Sequence, residues 1–221
     1  MNAELGRRIR EARLAQGLSL RATAAHASVS PSLLSQVETG KVQPSVSTLY
    51  AIVTFLGLSV DDLLDNKPTP GSRGKPQGGK PVQHGADAPV IVMENGVTWQ
   101  RLAVMEAAGG VAGVLATYQP GGASSVDESH MRHEGVEYGY LIEGELTLKL
   151  DFETYVLRAG DSLCFDSRRP HFYINRTDSV ARGVWYVVGG VGAAHDPGEV
   201  RTAVDVLDAM SRMPVGGASE R

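Results

Sequence analysis

Apolar residues recur at helical spacing through the first 66 residues of the chain. Leu5, Ile9 and Ala12 lie close to one face of a first helix, and Gly17 marks its end. Later helices start at serines, which are good N-caps because their hydroxyl accepts a hydrogen bond from an unpaired backbone N–H. The pattern therefore predicts an all-α five-helix bundle over residues 1–66. The predicted caps are Ser19, Ser30, Ser45 or Ser47, and Ser59, the last for a short helix that ends near Leu64.

Beyond this bundle the chain changes character twice. Residues 67–88 are rich in proline and glycine and hold one large apolar residue, Val82, which predicts a flexible linker. From residue 89 the apolar period becomes that of short strands separated by glycine turns, which predicts an all-β sandwich or barrel over residues 89–196. The tail, residues 197–221, has room for one more helix. The predicted strands are 90–93, 99–105, 111–118, 138–142, 146–150, 155–157, 162–165, 171–174 and 184–188.

The charge of the chain is unevenly distributed. The formal net charge of −4 by itself gives no sign of a nucleic-acid partner. Residues 1–60, however, carry six Lys or Arg against three acids, and residues 67–86 carry four against none. The N-terminal part of the chain is thus basic and the remainder acidic, which indicates that only the N-terminal part binds a polyanion.

The cysteine content and the apolar runs of the sequence indicate the cellular compartment of the protein. Cys164 is the one cysteine, so no intrachain disulfide can form, and we expect it to be a small buried strand residue. The first residues alternate charges rather than forming an apolar run, which argues against a signal peptide. No apolar stretch approaches the roughly 20 residues of a membrane span. We therefore expect a cytoplasmic protein without a membrane partner.

The third predicted helix has the properties of a helix that reads DNA. It begins Ser30-Pro31-Ser32 and exposes Ser35 and Gln36, whereas Leu33, Leu34 and Val37 face the bundle. The major groove admits one such helix, where glutamine can bind adenine and serine can contact a base or a phosphate. Two cations flank it and are placed to hold phosphates: Arg21 and Lys41. The alternative is a bundle that serves only as a scaffold or dimerisation module.

Residues 4–64 resemble the Xre/λ-repressor-like helix-turn-helix family. The resemblance rests on QGLSLRATAAHASVSPSLLSQVE, followed by Thr39-Gly40 and by PSVSTL at the start of the next helix. It implies a DNA-binding domain with double-stranded DNA as its partner. Ser28 departs from the family, which usually has glycine in this turn. Because serine tolerates a left-handed backbone less well, we expect slight strain there.

The second half resembles the cupin family. HMRHEGVE, residues 130–137, followed by YLIEGEL, resembles the first cupin motif, and GDSLCF with PHFYIN resembles the second. The resemblance covers roughly residues 110–188. It implies a double-stranded β-helix barrel that is often dimeric and has a central pocket.

Cupins commonly bind a divalent metal through two histidines and a glutamate of the first motif and a histidine of the second. Carried over by position, the ligands are His133, Glu137 and His171, while the first histidine position falls on Met131. Two imidazoles and a carboxylate can hold non-haem Fe(II) or Zn with an open position. The resemblance thus implies a metal such as Zn, Fe, Ni or Mn, the alternative being a metal-free effector pocket.

Together the two halves predict a ligand-responsive regulator that binds a palindromic operator as a homodimer formed through the cupin domain. Candidate walls of the effector pocket, each of which could instead be ordinary core, are Met131, Tyr118, Tyr140, Phe165, Tyr173 and Trp185. We expect that the chain is not an enzyme. The rival interpretation is that it is an enzyme, since the domain order and the triad also resemble the mononuclear-iron epoxidase of hydroxypropylphosphonate. A third alternative is a barrel that only dimerises.

Overall fold

A computed structural model describes residues 2–58, 82–103 and 111–189 of the chain. Its first part is a bundle of four helices, which matches the predicted all-α domain. The predicted fifth helix, from Ser59 to Leu64, lies outside the described residues. None of the described helices has the length and apolar character needed to cross a bilayer. The helices are α1 (Asn2–Ala15), α2 (Leu20–His26), α3 (Pro31–Glu38) and α4 (Val46–Phe55).

Serine caps fix where three of these helices begin. Ser19 accepts a hydrogen bond from the Ala22 N–H at 3.1 Å, and Ser30 accepts one from Leu33 at 3.1 Å. Of the two candidates for α4, Ser45 is the cap and accepts from the Thr48 N–H at 3.2 Å. Each bond satisfies a backbone donor that has no partner inside its helix. The local sequence therefore sets the register of α3 with its polar face outward.

The turn between α2 and α3 has the predicted left-handed residue. Ser28 has a φ of 54°, and the short turn lets α2 and α3 pack on the same core. That core holds Ile9 of α1, Leu34 of α3 and Leu49 of α4, all fully buried. The predicted helix-turn-helix geometry is confirmed in the described residues.

The second part contains nine described strands, one for each predicted run. The predicted second strand reached residue 105 but ends at Arg101, and residues 104–110 lie outside the described part. The strands are β1 (Val90–Val92), β2 (Val97–Arg101), β3 (Val111–Tyr118), β4 (Val136–Glu143), β5 (Glu145–Leu150), β6 (Glu153–Arg158), β7 (Ser162–Asp166), β8 (His171–Ile174) and β9 (Ala181–Val188). Short 3-10 turns precede β1 and β2, at Gly85–Asp87 and Glu94–Gly96.

These strands form two antiparallel sheets that face each other. The larger has the order β1-β2-β3-β9-β4-β7, and the smaller has the order β6-β5-β8. Residues that point inward from both sheets make a shared core, with Leu141 from β4, Leu146 from β5 and Tyr173 from β8 almost fully buried. The predicted all-β cupin barrel is confirmed, and its interior is where the candidate ligands meet.

The end of the predicted linker is more ordered than its composition suggests. Residues 82–88 pack on β2, because Gln83 Nε2 donates to the Arg101 carbonyl at 2.7 Å and Gln100 Nε2 donates to the Gly85 carbonyl at 2.8 Å. Residues 67–81 of the linker and the whole tail 197–221, with its predicted helix, lie outside the described residues.

Candidate functional site

All six predicted DNA-contacting residues lie on the surface of the helical bundle. Ser32, Ser35 and Gln36 project from the exposed side of α3, while Leu34 and Val37 on its other side are buried. Ser30 caps the same helix, Arg21 is exposed on α2, and Lys41 is exposed just after α3. The described structure leaves this polar face accessible, as insertion of α3 into a major groove requires.

The three predicted metal ligands converge inside the barrel. Glu137 lies on β4 and His171 opens β8, while His133 lies in the loop before β4. Glu137 Oε2 is 3.4 Å from His133 Nε2 and 3.6 Å from His171 Nε2. The three ligand atoms all fall within 4.8 Å of one another, and each residue is at least nine-tenths buried. These separations suit three atoms bound to one ion at roughly 2.1 Å each.

Hydrogen bonds orient both imidazole rings. His133 Nδ1 lies 3.2 Å from the Glu134 carbonyl, and His171 Nδ1 lies 2.8 Å from the Arg169 carbonyl. A carbonyl only accepts, so each Nδ1 carries a hydrogen, and in the neutral form of each ring the Nε2 presents a lone pair. Within the described part of the chain neither Nε2 has a hydrogen-bond partner, although both are buried. Two buried Nε2 atoms without a partner, both close to Glu137 Oε2, would gain a partner if a cation bound between the three atoms.

The charge state of the triad follows from its surroundings. Burial by itself raises the pKa of Glu137, but His133, His171 and Tyr173 hold it below its usual value. Burial lowers the pKa of His171 despite the nearby Glu137 carboxylate. The Tyr173 hydroxyl donates to Glu137 Oε1 at 2.5 Å, and burial followed by the Glu137 charge raises its pKa well above the ordinary value. Burial thus favours the neutral ring at His171, and the Tyr173 hydroxyl favours the ionised form of Glu137.

A small cavity of about 30 Å³ adjoins the triad. Four of the predicted wall residues line it: Met131, Tyr118, Tyr173 and Trp185. Met131 is buried there, whereas its neighbour His130 is exposed and lies near Phe172. Phe165 is buried but packs edge-on against the His171 ring, at 5.1 Å, and is not part of the cavity wall.

Two further expectations from the sequence are corrected. Tyr140 does not line the pocket: it is 48% exposed on the outer face of the larger sheet. Side chains alternate along a strand, so with Glu137 inside, Tyr138 and Tyr140 point outward. Cys164, expected to be buried, is also exposed, because it pairs with Tyr138 in register and shares that outer face.

Two aromatic residues of the cavity lining were missed from the sequence. Trp99 belongs to the wall from β2, and Tyr50 reaches it from α4 of the helical bundle. The alternation of β2 carries a signal for Trp99, since Val97 and Trp99 are its buried positions. Tyr50 has no such signal, because its role depends on how the two domains pack.

The family comparisons follow this division of the chain. Residues 4–66 match the helix-turn-helix domain family, and residues 114–189 match the cupin domain family. Together with the exposed α3 and the buried triad, these matches define the class: the chain is a DNA-binding transcription regulator with a cupin domain.

Individual relatives share this organisation. The chain is 29% identical over 177 residues to the HTH-type transcriptional regulator PuuR of Escherichia coli (strain K12), covering 80% of this chain and 90% of that protein. An HTH_3 family transcriptional regulator from Vibrio cholerae has the same fold, with a TM-score of 0.62, 21% identity and coverage of 85% and 96%. Hydroxypropylphosphonic acid epoxidase from S. wedmorenis matches with a TM-score of 0.45, 16% identity and coverage of 84% and 97%. The prediction of a regulator rather than an enzyme agrees with the first relative.

Proposed function

We propose that this chain is a ligand-responsive regulator that binds a palindromic operator as a homodimer in the cytoplasm. The observation that carries the proposal is that the same chain has both an exposed polar face on α3 and a buried cluster of His133, Glu137 and His171 that could hold an ion. In this proposal Ser32, Ser35 and Gln36 contact base edges in the major groove. Ser30, Arg21 and Lys41 hold the phosphates on either side.

Operator binding is tested by selection from genomic fragments, followed by affinity measurements over a range of salt concentrations. A regulator that uses Arg21 and Lys41 on phosphates loses affinity steeply as salt rises, because bound counterions are released. Protection of two half-sites whose centres lie about 34 Å apart, or a multiple of that, supports a dimer on a palindrome. Indifference of the purified protein to genomic fragments at low salt contradicts the proposal.

We further propose that His133, Glu137 and His171 hold a divalent metal. The two orphaned Nε2 atoms support this assignment, and the Tyr173 hydroxyl on Glu137 Oε1 is the kind of supporting contact that metal carboxylates have. The donor set of two imidazoles and a carboxylate suits Fe or Zn, with Ni and Mn as further candidates. When bound, the ion would offer open coordination positions to an effector. Metal analysis of protein purified without chelators tests this directly.

The cavity beside the triad is the proposed effector site. Aromatic side chains dominate its walls and Glu137 supplies a charged polar group, which is the usual composition of a small-molecule pocket. An effector can alter DNA binding only if it has different affinities for two arrangements of the protein. Mass spectrometry of the small molecules that co-purify with the protein can identify the effector. The outcome that contradicts this part is DNA binding that no metabolite pool changes.

The outer face of the larger sheet is the proposed dimer interface. Five large apolar side chains on two neighbouring strands are between 37% and 50% exposed there. Tyr138 pairs with Tyr186 and Val136 with Val188, so the exposed groups form one continuous patch rather than scattered positions. Such patches are uncommon on monomers, and a second copy of the same face would cover both. The five residues are Tyr138, Tyr140, Ile142, Tyr186 and Val188.

A further inference from the structure

A residue of the DNA-binding domain lies directly on the proposed metal site. The ring of Tyr50, on α4, stacks on the ring of His133 with centroids 4.2 Å apart and an interplanar angle of 5°. The same ring meets Trp99 edge-on at 5.7 Å and 71°. Tyr50 thus contacts a candidate ligand and a cavity wall at the same time, from a helix that belongs to the other domain.

Backbone hydrogen bonds hold α4 in this position. The Ser47 N–H, in the first turn of α4, donates to the Ser124 carbonyl of the cupin domain at 2.9 Å. The Glu94 N–H, between β1 and β2, donates to the Pro44 carbonyl at 3.0 Å. The start of α4 is therefore tied to the barrel on two sides, and Tyr50 lies one helical turn further on. We call this arrangement the docked state.

The docked state leaves little room in the pocket. The cavity of about 30 Å³ has space for only one or two water molecules. Its other lining residues come from the barrel itself, and Trp99, Tyr118 and Trp185 are held in strands of the larger sheet. Among the described residues, Tyr50 is the one lining residue that the DNA-binding domain contributes. Anything larger than a water or two can enter most simply when the Tyr50 ring leaves, and a movement of α4 off the barrel would take that ring with it.

We propose that Tyr50 gates the cupin pocket, and that operator DNA holds this gate closed. The inference rests on the proposed function. In the docked state Ser32 and Gln36 remain exposed, so DNA can bind while α4 is docked and the orientation of α3 is fixed. An effector that displaces Tyr50 undocks α4 and removes that fixed orientation, which lowers operator affinity. Because coupling between two sites is reciprocal, operator DNA lowers the affinity of the pocket for such an effector by the same factor.

The first test follows the exchange of Zn²⁺ out of the full-length protein into an excess of chelator. Tyr50→Leu keeps an apolar side chain and the helix but removes the ring, and it should speed release by about tenfold, which corresponds to about 1.4 kcal/mol off the barrier to release. Tyr50→Phe keeps the ring and should release Zn²⁺ more slowly than Tyr50→Leu does. A DNA fragment that carries the operator should slow release from the wild type and have no such effect on Tyr50→Leu. Equal rates for wild type and Tyr50→Leu, or faster release with DNA, would overturn the gate.

A second readout needs neither metal nor effector. The chain has two tryptophans, Trp99 and Trp185, and both line the cavity. Acrylamide should quench their fluorescence more strongly in Tyr50→Leu than in the wild type or Tyr50→Phe, with circular dichroism confirming that each variant is folded. If the protein binds no Zn²⁺, the metal assignment fails while quenching still tests the gate. Unchanged quenching in a folded Tyr50→Leu would show that the ring does not cover the pocket.

Discussion

Arg13 and Glu38 form a bidentate ion pair inside the helical bundle. Arg13 Nε lies 2.6 Å from Glu38 Oε1 and Arg13 Nη2 lies 2.8 Å from Glu38 Oε2, with both side chains more than nine-tenths buried. Arg13 Nη1 also donates to the Leu18 carbonyl at 2.9 Å. The pair joins α1 to the last turn of α3, so it fixes the orientation of the proposed recognition helix relative to α1.

Removing Glu38 should strongly destabilise the DNA-binding domain. Glu38→Ala leaves a buried guanidinium without its partner, and such a change costs about 3–5 kcal/mol. Urea unfolding followed by circular dichroism at helical wavelengths reports this domain, whereas fluorescence of the two tryptophans reports the barrel. The matched control is Glu11→Ala, which breaks an exposed pair with Arg7 on α1 and should change little. Equal stability of the two variants would contradict the structural role of the buried pair.

Ser28 should be a position where glycine stabilises the protein. Its φ of 54° lies in the left-handed region, which costs L-residues roughly 1–2 kcal/mol and glycine almost nothing. The greater freedom of glycine in the unfolded chain offsets part of this gain, so Ser28→Gly should add about 0.5 kcal/mol. Ser19→Gly is the control, because Ser19 has a φ of −76° and caps α2. We expect opposite signs in thermal unfolding; a loss of stability in Ser28→Gly would show that the turn is not strained.

The sequence predicted the parts of the molecule that depend on local signals. Serine caps, the Pro31 start of α3 and the glycine turns between strands are each set by residues a few positions apart, so these elements are where they were expected. The triad was found because two motifs in family register place its ligands. The orientation of Tyr140 was misjudged, although its position three residues after the inward Glu137 carried the information.

Other parts of the site could not be read from the sequence. The contact of Tyr50 with His133 joins residues 83 positions apart and depends on the packing of two domains, which no local pattern encodes. Cys164 was misplaced for a related reason. A strand of a sandwich has two faces, and an apolar outer face such as that of Tyr138 and Tyr186 looks in sequence like a core face.

Base reading by α3 and phosphate binding by its neighbours should be separable. Gln36→Ala removes a side chain that can bind adenine bidentately, so it should cost about 1–3 kcal/mol on the operator and little on unrelated DNA. Arg21→Ala should weaken both DNAs alike and reduce the slope of log affinity against log salt by about 1. Fluorescence anisotropy with the two DNAs at several salt concentrations measures both effects. If Gln36→Ala weakens both DNAs equally, Gln36 does not read a base.

The exposed aromatic face of the barrel should hold the dimer together. Tyr138→Glu places a charge at the centre of this face, next to Tyr186 and Cys164 in register, and should shift the protein to monomers. Phe152→Glu is the control, since Phe152 is fully exposed just before β6, in the other sheet. Light scattering after size exclusion gives the mass of each variant. A Tyr138→Glu protein with the mass of two chains would place the interface elsewhere.

The hydrogen bond from Tyr173 to Glu137 should tune metal affinity without deciding the fold. Tyr173→Phe keeps the buried ring but leaves Glu137 Oε1 without its donor, and loss of such a supporting contact typically lowers metal affinity by about 10–100-fold. Tyr118→Phe alters the same cavity wall without touching that contact, so it should bind metal like the wild type. Competition with a chromophoric chelator gives both dissociation constants. If Tyr173→Phe binds Zn²⁺ as tightly as Tyr118→Phe, the Tyr173 hydroxyl does not contribute to metal affinity, and its bond to Glu137 serves the packing of the core alone.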